Sequence, residues 1–264
     1  MNQSISIVDA FAPRPFTGNQ AAVCVLPNAR EDQWMQNIAA EMNLAETAFL
    51  YKEHSHYRLR WFTPKVEVDL CGHATLASAH VLWSEGHLAS IEVAHFETRS
   101  GHLTAIFHDG SITLDFPVAS LTPTEEPAGL ISALGLKQLP LYIGKSFDYL
   151  VHVSSASIVR ELNPDFGALA NVQARGIIVT ARSDSNDHDI ISRFFAPAVG
   201  INEDPVTGSA HCILAPYWSP ILGKNILRAY QASDRGGELL VELKGERVLL
   251  TGKAWTTLRG MLQV

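Results

Sequence analysis

Cysteine is scarce in this 264-residue chain. Cys24, Cys71 and Cys212 are odd in number, far apart, and show neither a metal-type pairing nor the density of a disulfide scaffold. That usage suits a reducing compartment, so a cytoplasmic protein is expected. Charge is also thin, at 18% of residues, and its balance is acidic: 20 basic against 27 acidic side chains, a formal net charge of −7. No basic stripe offsets that average, so neither nucleic acid nor an anionic membrane is expected as a partner. No apolar run reaches the roughly 18–20 residues that span a bilayer. Residues 1–20 lack a charged segment followed by an apolar one, so no signal peptide is expected. G-x-G-x-x-G, G-x₄-G-K-[ST] and G-x-S-x-G are missing as well, which removes the grounds for a nucleotide cofactor or an α/β-hydrolase. No cofactor is expected. Cys71, His73 and His80 are close in sequence and His211 adjoins Cys212, but C-x-H-x₆-H is not a zinc spacing, so no metal is expected either.

What the chain does have is apolar bulk, 47% of residues, enough to bury a large core. "SISIVDAF" and "AAVCVLP" read as strands around the turn-rich "APRPFTGNQ". In "REDQWMQNIAAEM", Trp34, Met35, Ile38, Ala39 and Met42 recur at helical spacing, and Asn43 is a helix stop. Glu46 stands just before the strand-like "TAFLY". "HYRLRWFT" alternates, and "HLTAIFHDGSITLDF" reads as a hairpin turning at Asp109-Gly110. Further on come strand-like "PLYIGKSFDYLVHV", a short helix near 157–162, the strand "GIIVTA", and the meander "ELLVELKGERVLLTGKAW" turning at Lys244-Gly245.

The most informative feature is an internal repeat. "RWFTPKVEVDLCGHATLA" (60–77) lines up with "RFFAPAVGINEDPVTGSAHCILA" (193–215). Both read R-x-F-x-P-x-V, a short loop, G-[HS]-A, then a small-residue helix, and the second copy carries three extra residues. Such a long separation points to duplicated domains rather than a solenoid. The expectation is an α+β protein of two similar domains, residues 1–118 and 119–264, with the last strand free to cross back to the first domain. The proline-rich "FPVASLTPTEEPAG" (116–129) is the expected linker. Ala74, Leu76, Ala77, Ala79, Val81, Leu82 and Trp83 cover every face of the first repeat helix, and a helix apolar all round is a buried one. Pro216 and Pro220 are expected to kink or end the second after about two turns.

A buried helix must still satisfy its first N–H groups, and its N-terminus carries about half a positive charge. Each repeat helix begins at a glycine, Gly72 or Gly208, which admits a ligand close to the backbone. Paired by pseudo-twofold symmetry, Gly72-His73 and Gly208-Ser209 would form one anion site in an interdomain cleft. Taken singly, each glycine reads equally as a tight turn.

"FTGNQAAV", "AETAF", "FTPKVEVDLCGHATLA" and "EDPVTGSAH" resemble the signature segments of the PhzF-like (phenazine biosynthesis-like) family, from about Asp9 to the C-terminus. "GNQ" stands where that family commonly has G-N-P, and "QASDRGG" after Tyr230 departs from its Q-G…R-P pattern. The resemblance implies a diaminopimelate epimerase-like fold: two domains, each a strongly curved, mainly antiparallel, barrel-like sheet around a central helix. It assigns proton transfer to Glu46, whose carboxyl in an apolar cleft would titrate high. His73 and Asp204 complete the implied catalytic set, His73 donating to a substrate carboxylate or relaying a proton, Asp204 accepting from the substrate or orienting His73. Ser209, with the backbone at Gly72 and Gly208, would hold the carboxylate, and Asn19 is a further substrate contact. Against these stand plainer readings: a surface Glu46, helix-capping Asp204 and Ser209, and a packed histidine. A two-thiol racemase is disfavoured, because the residue matched to Cys71 in the second copy is Pro205 and Cys212 lies inside the helix. Cys71 itself reads as a small buried residue at the turn.

The expected protein is therefore a cofactor-free isomerase acting on a small anionic carboxylic acid, and the family typically forms homodimers. A small-acid binding or regulatory protein on the same fold is the alternative. The two differ in whether Glu46 exchanges protons.

Overall fold

Strands with alternating apolar residues need something to bury that face, and in each half of this protein an apolar helix supplies it. The computed structural model describes residues 2–263. The chain divides into two compact units, Met1–Phe116 with Leu250–Val264, and Pro117–Leu249.

In chain order the first unit carries β1 (Asn2–Ala10), β2 (Asn19–Leu26), α1 (Asp32–Met42), β3 (Glu46–Glu53), β4 (His56–Phe62), β5 (Glu67–Val68), α2 (Gly72–Ser84), β6 (Ala94–Thr98), β7 (Gly101–His108) and β8 (Ser111–Pro117). Pairs β1/β2, β3/β4, β4/β5, β6/β7 and β7/β8 are antiparallel; β2/β3 and β4/β6 are parallel. α2 packs on β1, β2 and β3 and is buried on nearly every face, as its composition requires. α1 presents Met35, Ile38 and Ala39 to a cluster with Ile5, Cys24, Phe49 and Phe62. It stops at Asn43, which takes the left-handed conformation at φ 51° and returns its N–H to Ala39 O. The β7–β8 hairpin turns at Asp109 and Gly110, both at positive φ.

The second unit repeats this plan. It carries β9 (Thr122–Pro123), α3 (Leu130–Ala133), β10 (Tyr142–Lys145), β11 (Tyr149–His152), α4 (Ala156–Glu161), α5 (Phe166–Leu169), β12 (Ile177–Arg182), β13 (Ile190–Ala196), β14 (Ile201–Asp204), α6 (Gly208–Leu222), β15 (Ile226–Gln231) and β16 (Gly237–Lys244). The chain leaves it through β17 (Arg247–Gly252) into β18 (Ala254–Gln263), which pairs antiparallel with β1 in the first unit's sheet. Pairs β10/β11, β12/β13, β13/β14 and β15/β16 are antiparallel, and β11/β12 and β13/β15 are parallel. That is the order of β1/β2, β3/β4, β4/β5, β6/β7, β2/β3 and β4/β6. Among the described residues no helix is long and apolar enough to cross a membrane.

The repeated R-x-F motif has a shared structural role. Arg60 on β4 lies over the Phe62 ring at 5.1 Å, and Arg193 on β13 over Phe195 at 4.9 Å. Each guanidinium also forms a two-point pair with a glutamate on the short return strand. Arg60 meets Glu67 at 2.7 and 2.6 Å, and Arg193 meets Glu203 at 2.7 Å through both nitrogens. Both glutamates stand five residues before the helix glycine, so each clamp sets where a buried helix begins. The three extra residues of the second copy therefore lie before Glu203, in the turn around Pro197–Val199. This corrects the match of Cys71 to Pro205. Counted back from the glycines, Cys71 corresponds to Thr207; each is the N-cap of its helix.

Three other expectations change. α6 does not end at its prolines but runs all 15 residues through Pro216 and Pro220. Pro216 has no N–H for the carbonyl of Cys212, and that carbonyl is taken instead by Ala119 N–H at 3.2 Å, so the helix continues without an orphaned acceptor there. "PLYIGKSFDYLVHV" splits into β10 and β11 around Ser146, whose N–H bonds Asp148 O. The β16–β17 turn falls at residues 245–246, one position later than expected, with Gly245 at φ 61°.

The Arg193 and Glu203 side chains are only 10% and 17% exposed. Arg193→Met, which leaves Glu203 without its partner, is expected to lower unfolding free energy by about 2–4 kcal/mol in urea titrations. A loss below about 0.5 kcal/mol would mean that the pair behaves like a surface ion pair.

Candidate active site

In the first unit, β2 and β3 bring polar side chains to the start of α2. Cys71, the N-cap, is extended at φ −145° and ψ 110°, and gives the helix no side-chain cap. Gly72 and His73 are the first two helical residues. Glu46 opens β3, and parallel pairing sets it beside Ala21, two residues past Asn19 at the start of β2. The small, apolar α2 cannot satisfy these groups, so they satisfy one another.

His73 is the hub. It is 4% exposed, and its Nδ1 lies 3.1 Å from the Asn19 amide nitrogen and 3.5 Å from Cys71 Sγ. An amide nitrogen only donates, which makes Nδ1 the acceptor and leaves the proton on Nε2. Nε2 lies 3.2 Å from a Glu46 carboxylate oxygen, within ion-pair reach though too oblique for a hydrogen bond. Burial pushes the imidazole down from 6.5 to about 4, against a smaller opposing pull from a hydrogen bond to the Gln20 backbone. A charged Glu46 would pull upward too, but the enclosed ring pays the larger desolvation penalty, and the neutral form fits its partners. Glu46 keeps 13% of its side chain exposed, so it can meet a ligand. One atom each from Glu46, Cys71 and His73 lie within 4.8 Å of one another, which also makes them the group of described residues able to hold a divalent ion.

In the second unit, the start of α6 is held differently. Thr207 is the N-cap, in place of the Asp204 or Ser209 cap weighed from sequence. Its N–H bonds Gln231 Oε1 at 2.9 Å, and its hydroxyl donates to Asp204 Oδ2 at 2.5 Å. Gln231, fully buried on β15, also donates to Asp204 O at 2.7 Å. Ser209 Oγ accepts from Arg175 at 3.2 Å, and Arg175 is anchored on the buried carboxylate of Asp148. Desolvation pushes Asp148 upward, and Arg175 opposes it. The two helix starts share one further bond: Thr75 Oγ1 and His211 Nδ1, each three residues past the glycine, donate to the carbonyl of the N-cap.

The structure thus gathers Asn19, Glu46, Gly72 and His73 in the first unit, and Asp204, Gly208 and Ser209 around one turn in the second. Sequence reasoning missed four participants. Cys71 is the partner of His73 rather than mere turn packing. Gln231 is the brace of Asp204 and Thr207. Arg175 and Asp148 support Ser209, and an acidic residue inside an apolar strand-like run was the available signal for Asp148.

His211 is fully buried, and its Nε2 has no hydrogen-bond partner among the described residues. Burial pushes it from 6.5 to about 4. An imidazole neutral when folded takes up a proton on unfolding, so His73 and His211 stabilise the fold above pH 6.5 and lose that contribution as pH falls toward 4. Each is expected to remove up to about 3 kcal/mol across that window. Unfolding titrations at pH 7.5, 6 and 4.5 should show His211→Gln flattening about half of the acid slope; an unchanged slope would mean that His211 titrates alike in both states.

The profile of the phenazine biosynthesis-like proteins, PhzC-PhzF, matches residues 8–260. An uncharacterized isomerase of Halalkalibacterium halodurans is 54% identical, over 99% of this chain and 99% of that protein. A PhzF-family protein of Enterococcus faecalis superposes with a TM-score of 0.95 at 43% identity, covering all of both chains. A hydroxyproline epimerase of Agrobacterium vitis shares the fold alone, with a TM-score of 0.63 at 12% identity, over 99% of this chain and 92% of its own. With the duplicated α+β plan and the motifs at both helix starts, these likenesses show that the chain belongs to the PhzC-PhzF family of phenazine biosynthesis-like proteins.

Proposed function

We propose that this protein is an isomerase that moves a proton, and with it a double bond, on a small carboxylic acid without a cofactor. The observation that carries the reading is the Glu46 carboxylate set against a buried, neutral His73 at the start of α2. The naming of the Halalkalibacterium halodurans relative as an isomerase supports the reaction class.

In this reading Glu46 takes a proton from an activated C–H and returns it at another carbon of the same substrate. Negative charge that develops on the substrate is met by the N-terminal amides of α2 at Gly72 and by the Nε2–H of His73. Asn19 holds the tautomer that keeps that proton on Nε2. Ser209 and the Gly208 amide are assigned to the substrate's carboxylate, with Arg175 fixing the Ser209 hydroxyl. Asp204, braced by Thr207 and Gln231, is assigned to a substrate amine or hydroxyl. A single-carboxylate route also fits the second unit, where the counterpart of Cys71 is Thr207 and Cys212 is a buried thiol pushed up to about 12.

The test is exchange of substrate C–H for solvent deuterium, followed by NMR over a panel of cyclic and amino carboxylic acids. Glu46→Gln should lower the exchange rate by about 10²–10⁴-fold while affinity changes little. Exchange that survives the substitution, or that no acid on the panel undergoes, would remove Glu46 from this role.

A further inference from the structure

The second unit has a hollow of about 400 Å³, a size that admits a small organic ligand. Its polar lining is Lys145 at the end of β10, with Gln173 and Arg175 from the segment between α5 and β12. Its apolar lining includes Phe147 in the β10–β11 turn, Val172 and Ala198. Among the described residues no carboxylate lines it, although the chain as a whole carries a net charge of −7. The donors keep capacity in reserve. Lys145 has no ion-pair partner among the described residues, and its ammonium lies 4.9 Å from the Tyr149 ring centre. Arg175 commits Nε and Nη2 to Asp148, and Nη2 to Ser209 as well, which leaves Nη1 without a hydrogen bond among the described residues. The side-chain amide of Gln173 is unbonded in the same sense. Asp148 balances the charge of Arg175, so the uncompensated charge is that of Lys145, and the hollow suits a monoanion rather than a phosphate dianion. Phe147 is 48% exposed, with the Arg175 guanidinium 4.9 Å from its ring centre. A half-exposed ring beside unused donors gives a flat ligand a surface to stack on. Ala198 belongs to the turn that holds the three extra residues of the second copy, so the first unit has no such wall.

We propose that this hollow is a binding site for a small aromatic carboxylate. The carboxylate is held by Lys145 Nζ, Arg175 Nη1 and the Gln173 amide, and the ring lies against Phe147 and Val172. Every residue involved belongs to the second unit. Because Arg175 also holds Ser209, the bound acid and the start of α6 share one guanidinium.

The probe is benzoate, titrated into ¹⁵N-labelled protein at pH 7.5 and followed by amide chemical shifts. Saturable shifts are expected at residues 145–147 and 172–175, with acetate binding about tenfold more weakly for want of a ring and benzylamine not at all. Lys145→Met should weaken benzoate about fivefold, and Lys145→Glu should abolish these shifts. Both replace an exposed side chain, and the amide spectrum itself reports whether each variant is folded. Should neither fold, the benzoate-to-acetate ratio of the unmodified protein decides. Benzoate shifts confined to the surroundings of Glu46 and His73, equal affinity for acetate, or undiminished shifts in folded Lys145→Glu would each overturn the proposal. The isomerase reading is judged apart, by substrate deuterium exchange. An empty hollow in a protein that exchanges leaves that reading standing, and an occupied hollow in one that does not leaves the binding site standing.

Discussion

The two arginine–glutamate clamps set the terms for the rest of the structure. A helix that is apolar all round has no preferred angle about its own axis, because any face packs as well as another. α2 and α6 are of this kind, and something other than hydrophobicity must decide where they start and which way their first turn points. Arg60 with Glu67, and Arg193 with Glu203, do so by fixing the return strand five residues upstream. Their low exposure gives such pairs directional force that a surface pair would lack. The phenylalanine stacked under each guanidinium restricts it further.

Once the helix start is fixed, polar chemistry has one place to go. The bodies of α2 and α6 are mainly apolar, and in α2 the buried hydroxyls of Thr75 and Ser78 turn inward on the carbonyls of Cys71 and Ala74. The first turn alone combines unsatisfied amides, a positive dipole end and side chains delivered by neighbouring strands. The two units spend this opportunity differently. The first assembles acid–base groups around a neutral histidine. The second assembles a braced turn, in which Gln231, Thr207 and Asp204 hold one another and Arg175 holds Ser209.

Much of this was legible in the residues, for physical reasons. The all-round apolar pattern of 74–83 told of burial, Asn43 told of a left-handed stop, and Asp109-Gly110 told of a tight hairpin, because each depends on local chemistry alone. The repeat and the signature motifs carried the fold class. What stayed hidden depended on partners distant in sequence. Nothing near Pro216 says that Ala119 will supply the missing donor, and nothing near Ser209 says that Arg175 will reach it. The slip over Pro205 has the same origin. The strand pairing and the clamp, which only the fold reveals, put the three-residue insertion before Glu203 rather than after it. Cys71 was read as packing because its neighbour in the chain is a glycine; its neighbour in space is an imidazole.

The proline in α6 has a further bearing on how this chain is built. By withholding one hydrogen, Pro216 turns a mid-helix oxygen into a mooring, and the segment that has just entered the second unit ties up there at Ala119. The incoming thread is thereby fastened to the innermost element of the unit within its first few residues. A blemish in one ladder becomes the anchorage of another part of the polypeptide, so any residue that restores the hydrogen at position 216 competes with the thread for the same oxygen.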